Sequence, residues 1–282
     1  MRRKPKYDLQ TKLPDNDQEV HGVFDIPVPM GNKAVFIGKS GTGKTYRMSQ
    51  LVGSAKRQIK HLHTILISPT FESDATWQVA VRAYGSSRHA HLIDEHYDTY
   101  DEDVRRLLNS IVSNAEHRTT PVAIIYDDMS SDHTITRTFA DNPVRHMFTK
   151  ARQSNLMAFM ACQKLAAVPT DVISNYNYAF IQQTHKRAEL QGIAHEFLGD
   201  ARSETSIRLM REAWVAPYDS FFIWDQPHKQ RYFRVSGKSA LTELQGEPRV
   251  NFAIATGAED KWASFFWHNR PFIRWISTAR TA

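Results

Sequence analysis

The chain is predicted to form an α/β fold, a mostly parallel sheet with helices on both faces and a C-terminal antiparallel addition. Three observations carry this expectation. Five short apolar runs alternate with stretches of helical periodicity, the first run ends in a Gly-rich octet, and two aromatic-rich runs near the end bracket a turn at Pro227. Strands that alternate with helices need crossover connections, which are right-handed and cover both faces of a parallel sheet.

Residues 1–30 read as a basic, proline-containing arm, because the segment is polar and then punctuated by Pro14, Pro27 and Pro29, which discourage helix. The core, residues 31–240, opens with Ala34-Val35-Phe36-Ile37, a buried-strand run that stops at the glycines, and a helix is expected from Gly43 to about Arg57. Thr64-Ile65-Leu66-Ile67-Ser68, closed by Pro69, is the second strand. Residues 77–97 show neither period clearly. Between Glu102 and Ala115, Val104, Leu107, Leu108, Ile111 and Val112 recur at helical spacing with charges between them, which marks an amphipathic helix.

Val122-Ala123-Ile124-Ile125-Tyr126, Leu156-Met157-Ala158-Phe159-Met160-Ala161 and Tyr178-Ala179-Phe180-Ile181 supply the third, fourth and fifth strands. Ser220-Phe221-Phe222-Ile223-Trp224 and Arg231-Tyr232-Phe233-Arg234-Val235 then form an antiparallel hairpin at a sheet edge. Residues 241–282 make an aromatic and basic tail.

Composition narrows the functional classes. With 41% hydrophobic and 23% charged residues, the 282-residue chain has the balance of a globular protein rather than a disordered one. The formal charge of +6 favours polyanionic partners such as nucleic acid, and it is concentrated at the ends, in Arg2, Arg3, Lys4 and Lys6 and in Lys261, Arg270, Arg274 and Arg280. A single cysteine, Cys162, excludes an intramolecular disulfide and a thiolate metal cluster. That cysteine usage fits an intracellular, reducing compartment, and no apolar stretch is long enough to span a membrane, so the chain reads as soluble.

The octet Gly38-Lys39-Ser40-Gly41-Thr42-Gly43-Lys44-Thr45 matches G-x-x-x-x-G-K-[ST], the loop whose backbone N–H groups wrap phosphates at a helix N-terminus. Glycines at 38, 41 and 43 let the backbone approach closely, Lys44 reaches the β- and γ-phosphates, and the Thr45 hydroxyl coordinates Mg²⁺. ATP and Mg²⁺ are therefore the expected ligands. A strand before and a helix after are the context this motif requires.

Asp127 and Asp128 follow the third strand, which places two carboxylates at a C-terminal strand end, where ligands bind in open α/β sheets. In P-loop enzymes the first such acid serves the metal and the next orients water, so Asp127 is assigned to Mg²⁺ and Asp128 to the attacking water. The same pair could simply start a turn or cap a helix. Gln163, just past the fourth strand, offers an amide to the γ-phosphate or to water, although a plain strand-end polar residue remains an alternative reading.

The P-loop, Tyr126-Asp127-Asp128-Met129, and Ala151-Arg152-Gln153-Ser154 leading into a strand that ends at Gln163 together resemble the viral genome-packaging ATPases. These are P-loop ATPases of the FtsK/HerA superfamily, of poxvirus and virophage type, found in large DNA viruses of eukaryotes and related mobile elements. The segment Ala167 to Asn175 is similar to their short helix after the sensor strand, and the resemblance spans about Val35 to Gln182.

The resemblance implies a RecA-like sheet in the order 5-1-4-3-2. It also implies an ATP-hydrolysing, double-stranded DNA translocase acting as a homo-oligomeric ring with capsid or portal-vertex proteins, in the viral factory of the host cell or in the virion. Many relatives in the wider superfamily carry Glu where Asp128 stands. An arginine finger from a neighbouring subunit is implied too, with Arg152 the first candidate and Arg202, Arg208 and Arg211 behind it.

In the tail, Trp262, Phe265, Phe266, Trp267, Phe272 and Trp275 interleave with Lys261, Arg270 and Arg274, a composition that suits capsid docking or nucleic-acid binding and equally suits packing back onto the core. The pairs His61/His63 and His89/His91 lack any zinc framework. Two rival functions stay open on residues alone: a P-loop nucleoside or nucleotide kinase, and a non-hydrolysing nucleotide-gated DNA- or capsid-binding factor.

Overall fold

A computed structural model describes residues 26–85, 91–114, 119–128, 142–151, 155–199, 204–226, 229–237 and 240–244. Nine strands form one sheet: β1 (Lys33–Ile37), β2 (His63–Ile67), β3 (Glu95–Tyr97), β4 (Val122–Tyr126), β5 (Leu156–Cys162), β6 (Tyr178–Gln182), β7 (Ser220–Gln226), β8 (Lys229–Val235) and β9 (Leu241–Glu243). Their spatial order is β3-β2-β4-β5-β1-β6-β7-β8-β9. Six strands run parallel, and β7, β8 and β9 are antiparallel additions.

The five parallel strands expected from the sequence correspond to β6, β1, β5, β4 and β2, and they lie in that expected order. The sheet differs at its margins. β3 adds a sixth parallel strand beside β2, and β9 extends the hairpin. A three-residue polar edge such as Glu95-His96-Tyr97 carries no apolar run to announce it, and its charge discourages pairing with another chain.

The helices are α1 (Lys44–Gln58), α2 (Ala75–Gly85), α3 (Glu102–Ser113), α4 (Pro143–Lys150), α5 (Thr170–Ile173), α6 (Arg187–Leu198) and α7 (Glu204–Ala213). Alternation along β1 divides the core in two. Val35 and Ile37 pack with α3, α4, α6 and α7, whereas Ala34 and Phe36 pack with α1 and α2. Both faces are thus covered, as the near-continuous apolar strands require.

The helix ends follow their local chemistry. Asp101 caps α3 by accepting from the Asp103 and Val104 N–H groups, and Asn142 caps α4 ahead of Pro143. The antiparallel addition is fused to the core by an aromatic ladder. Phe36, Phe180, Phe222 and Phe233 sit at paired positions on β1, β6, β7 and β8, with successive ring centroids 4.8, 4.5 and 5.5 Å apart.

The arm and tail boundaries read from sequence fall inside this body. Ile26 and Val28 are buried, and Gln58 ties the arm to α1 through the Val28 N–H and the Ile26 carbonyl. Leu241 to Glu243 pair with β8. The rest of the arm, and the tail aromatics and cations from Lys261 onward, lie outside the described residues. Among the described residues no helix is long and apolar enough to cross a membrane, and no cluster of His, Cys, Asp or Glu has the makings of a metal cage.

Candidate active site

β1 delivers the chain into the phosphate loop, and the loop's shape depends on its glycines. Gly41 and Gly43 have φ of 75° and 93°, a region that side chains rarely adopt. Gly38 is required for a different reason: a Cβ there would stand 2.4 Å from Cβ of Gln182 on β6. Gly43 is the N-cap of α1, with no side-chain cap and no acid in the first turn, so the helix N–H groups and the positive end of its dipole face the loop.

Two side-chain contacts brace the loop from within. Thr42 Oγ1 and Lys44 Nζ both donate to the Lys39 carbonyl, at 2.7 and 2.8 Å. Burial lowers the Lys44 pKa, opposed by the nearby carboxylates of Asp127 and Asp128. Lys39, Ser40 and Gly41 are exposed at the loop's crest.

β4 carries Asp127 to the same end of the sheet. Its Oδ2 accepts from Thr45 Oγ1 at 3.0 Å and from Trp77 Nε1 at 2.7 Å. Only 1% of Asp127 is exposed, and burial pushes its pKa up to about 6 against the hydrogen bonds from Trp77 and Thr45. Asp128, one residue on, has φ of 54°, which turns its carboxylate so that Oδ1 accepts from Gln163 Nε2 at 2.8 Å. Since β5 lies between β1 and β4, Gln163 leaves its strand between the phosphate loop and the acidic pair.

The structure therefore brings together Lys44, Thr45, Asp127, Asp128 and Gln163, all chosen from sequence. The arginine candidates fare differently. Arg152 and Arg202 lie outside the described residues, while Arg208 and Arg211 are exposed on α7, paired with Glu212 and Glu204 at 3.6 Å. Of the histidines, His63 bonds Glu95 at the sheet edge and His89 lies outside the described residues.

Four residues at this end of the sheet escaped sequence reading: Trp77, Arg47, Gln182 and Tyr218. Trp77 is wholly buried on α2, and its indole donates to the same Asp127 Oδ2 that accepts from Thr45. Arg47, also wholly buried, donates to Gln50 Oε1, Ser220 Oγ and the carbonyls of Tyr218, Val235 and Ser236. The only sequence signals were a tryptophan in an unassigned segment and an arginine two places after the P-loop threonine.

A phosphate loop on β1, an acidic strand end on β4 and an intervening strand β5 that ends in a polar residue define a P-loop ATPase of the additional-strand class. The chain belongs to the poxvirus A32 protein family, whose model matches residues 29–213. Among solved structures it is similar to B204, the DNA-packaging ATPase of Sulfolobus turreted icosahedral virus, at 14% identity and a TM-score of 0.53, covering 73% of this chain and 98% of that one. It is also similar to B204, the genome-packaging NTPase of Sulfolobus turreted icosahedral virus 2, solved with ATP-gammaS, at 12% identity and a TM-score of 0.51, covering 72% and 96%. At such identity the likeness is one of fold. A search of curated proteins finds no match.

Proposed function

We propose that this chain is an ATP-hydrolysing motor that drives double-stranded DNA into a viral capsid. The observation that carries the hydrolytic half is the Asp128–Gln163 hydrogen bond of 2.8 Å beside the Thr45–Asp127 contact of 3.0 Å. A kinase needs no second acid joined to an amide at this place; water-directed chemistry uses both. Membership of the poxvirus A32 protein family and the fold shared with packaging ATPases support the DNA half.

The donor set fits Mg²⁺. A hydroxyl and a carboxylate, both hard oxygen ligands, meet at 3.0 Å, and the carboxylate is buried, with its pKa raised, so its charge is best completed by a cation. Thr45 and Asp127 would hold the ion, which would supply neutralisation of phosphate charge. The loop N–H groups and Lys44 bind the phosphates, and Trp77 fixes the direction of Asp127. Asp128 orients the attacking water and accepts its proton, while Gln163 holds Asp128 in place through its amide. Arg152 of a neighbouring subunit would complete the site, which makes a homo-oligomeric ring the working form. The capsid or portal vertex is the partner, and the viral factory or virion the place.

The test is phosphate release from MgATP with and without duplex DNA, with electron microscopy of the same samples. Stimulation by DNA, rings around it, and loss of turnover in Lys44→Ala are expected. Phosphate transferred to an added nucleoside, or turnover indifferent to DNA in a persistent monomer, would defeat the reading.

A further inference from the structure

We propose that Tyr218 is the nucleobase platform of this site, receiving the base of the bound nucleotide on its exposed ring. The inference rests on the phosphate-loop reading above and extends it to a subsite that none of the sequence motifs identifies.

Sheet order fixes which way a nucleotide must lie. Asp127, Asp128 and Gln163 stand just past the ends of β4 and β5, on one side of β1, so the γ-phosphate end points there. The nucleoside end is left to the opposite side of β1, toward β6 and β7. Tyr218 stands there, on the turn between α7 and β7. Its ring lies against the end of the phosphate loop: a Cβ placed on Gly43 would meet Tyr218 Cδ1 at 3.4 Å and its Cβ at 3.7 Å.

The turn has the marks of a presented surface. Among the described residues the exposed large hydrophobics are Val215, 66% exposed, and Tyr218, 57% exposed, three residues apart in the same turn. Tyr218 also has φ of 67°, an unfavourable conformation for an aromatic residue, which persists where the surroundings impose it. Those surroundings are specific. The buried carboxylate of Asp219 accepts from the Val215, Ala216 and Gly237 N–H groups and from Arg234, while Arg47 of α1 donates to the Tyr218 carbonyl at 2.9 Å. Packing alone does not explain a rigid turn that holds its aromatic ring out in water beside a phosphate loop. An aromatic face held in place binds a base by stacking, whichever base it is.

The test compares ATP with inorganic tripolyphosphate, each with Mg²⁺, by titration calorimetry on the wild type, Tyr218→Gly and Tyr218→Phe. Glycine accepts the positive φ, so the turn keeps its shape while the ring is lost. Tyr218→Gly should weaken ATP about tenfold and leave tripolyphosphate within about twofold, and Tyr218→Phe should keep ATP within about threefold. Unchanged ATP affinity in Tyr218→Gly, or an equal loss for both ligands, overturns the base platform. So does a change in sedimentation without a change in ATP affinity, which would make the turn a subunit contact. A wild type that binds neither ligand overturns the phosphate-loop reading itself.

Discussion

Replacing Gly38 by Ala tests how the phosphate loop is seated against the sheet. The new methyl carbon would lie 2.4 Å from Gln182 Cβ, 2.8 Å from Gln182 Cγ and 2.8 Å from Thr42 Oγ1. Carbon atoms pack at about 3.5–4.0 Å, so the Gln182 contacts are short by about 1 Å. Neither strand can yield easily. Ile37 and Ile181 are paired in the β1–β6 ladder, and on the other flank the Gly38 N–H donates to the Cys162 carbonyl at 3.1 Å. Overpacking of this kind costs about 1–3 kcal/mol, and the backbone restraint puts Gly38→Ala near about 3. At about 2–4 °C per kcal/mol, the melting temperature should fall by about 6–12 °C.

The geometry also dictates the rescue. Gln182→Ala leaves the 2.4 Å contact in place, so it should recover little, whereas Gln182→Gly removes both offending carbons. The remaining contact is with a hydroxyl that can rotate. Gln182→Gly has its own cost, about 1 kcal/mol for glycine in a strand and a similar loss of the hydrogen bond from Ser220 Oγ. The double-mutant cycle should nonetheless show about 2 kcal/mol of favourable coupling for Gly38→Ala with Gln182→Gly and under about 0.5 with Gln182→Ala. Thermal and urea unfolding measure both. Equal rescue by alanine and glycine, or no loss in Gly38→Ala, would refute the close approach.

Three further changes probe the chemistry. Asp127→Asn, compared with the wild type in Mg²⁺-free buffer, should be the more stable protein at pH 7 by up to ~3 kcal/mol, because the buried carboxylate has a folded pKa of about 6 against 3.8 unfolded. That raised pKa means the wild type loses stability as pH rises through the window from about 4 to 6 and regains it on acidification, so unfolding curves of the two proteins should converge near pH 4; a gap independent of pH would contradict the assignment. Trp77→Phe removes the indole donor to Asp127 and should weaken Mg²⁺-dependent ATP binding about 10-fold, in the range of a charge-assisted hydrogen bond, while binding of ATP in EDTA stays unchanged. Gln163→Ala should lower kcat at least about 10-fold and leave ATP affinity within about twofold in equilibrium binding, because its amide contacts Asp128 and not the phosphate loop.

What sequence disclosed followed from where its physics is local. The apolar runs of β1, β2, β4, β5 and β6 need burial on both faces, so each announced itself, and the octet Gly38 to Thr45 carries its own conformational demands. Asp127, Asp128 and Gln163 were legible for the same reason, as polar residues directly after buried strands. Trp77 was not, because its partner is 50 residues away and no periodicity links the two. β3 was hidden by its polarity. Arg47 was hidden by expectation, since an arginine on a helix is ordinarily at the surface, and the convergence of three distant carbonyls with Gln50 and Ser220 makes its burial tolerable.

Arg47 in turn changes the standing of the antiparallel hairpin. A buried guanidinium whose pKa burial lowers to about 10 is still charged at neutral pH, so each acceptor it loses leaves part of a buried charge uncompensated. Its acceptors lie on the turn before β7, on β7 itself and at the end of β8, while its own helix begins with Lys44 and Thr45. The N-terminus of α1 and the hairpin therefore move as one body or break a buried charge network. Asp219 continues that body by holding the turn that carries Tyr218, and Arg234 of β8 closes it. Any shift of the phosphate loop between nucleotide states is thus conveyed to β7 and β8 through side chains that touch no phosphate. The hairpin is therefore tied to the phosphate-loop helix on the side of β1 opposite Asp127 and Asp128.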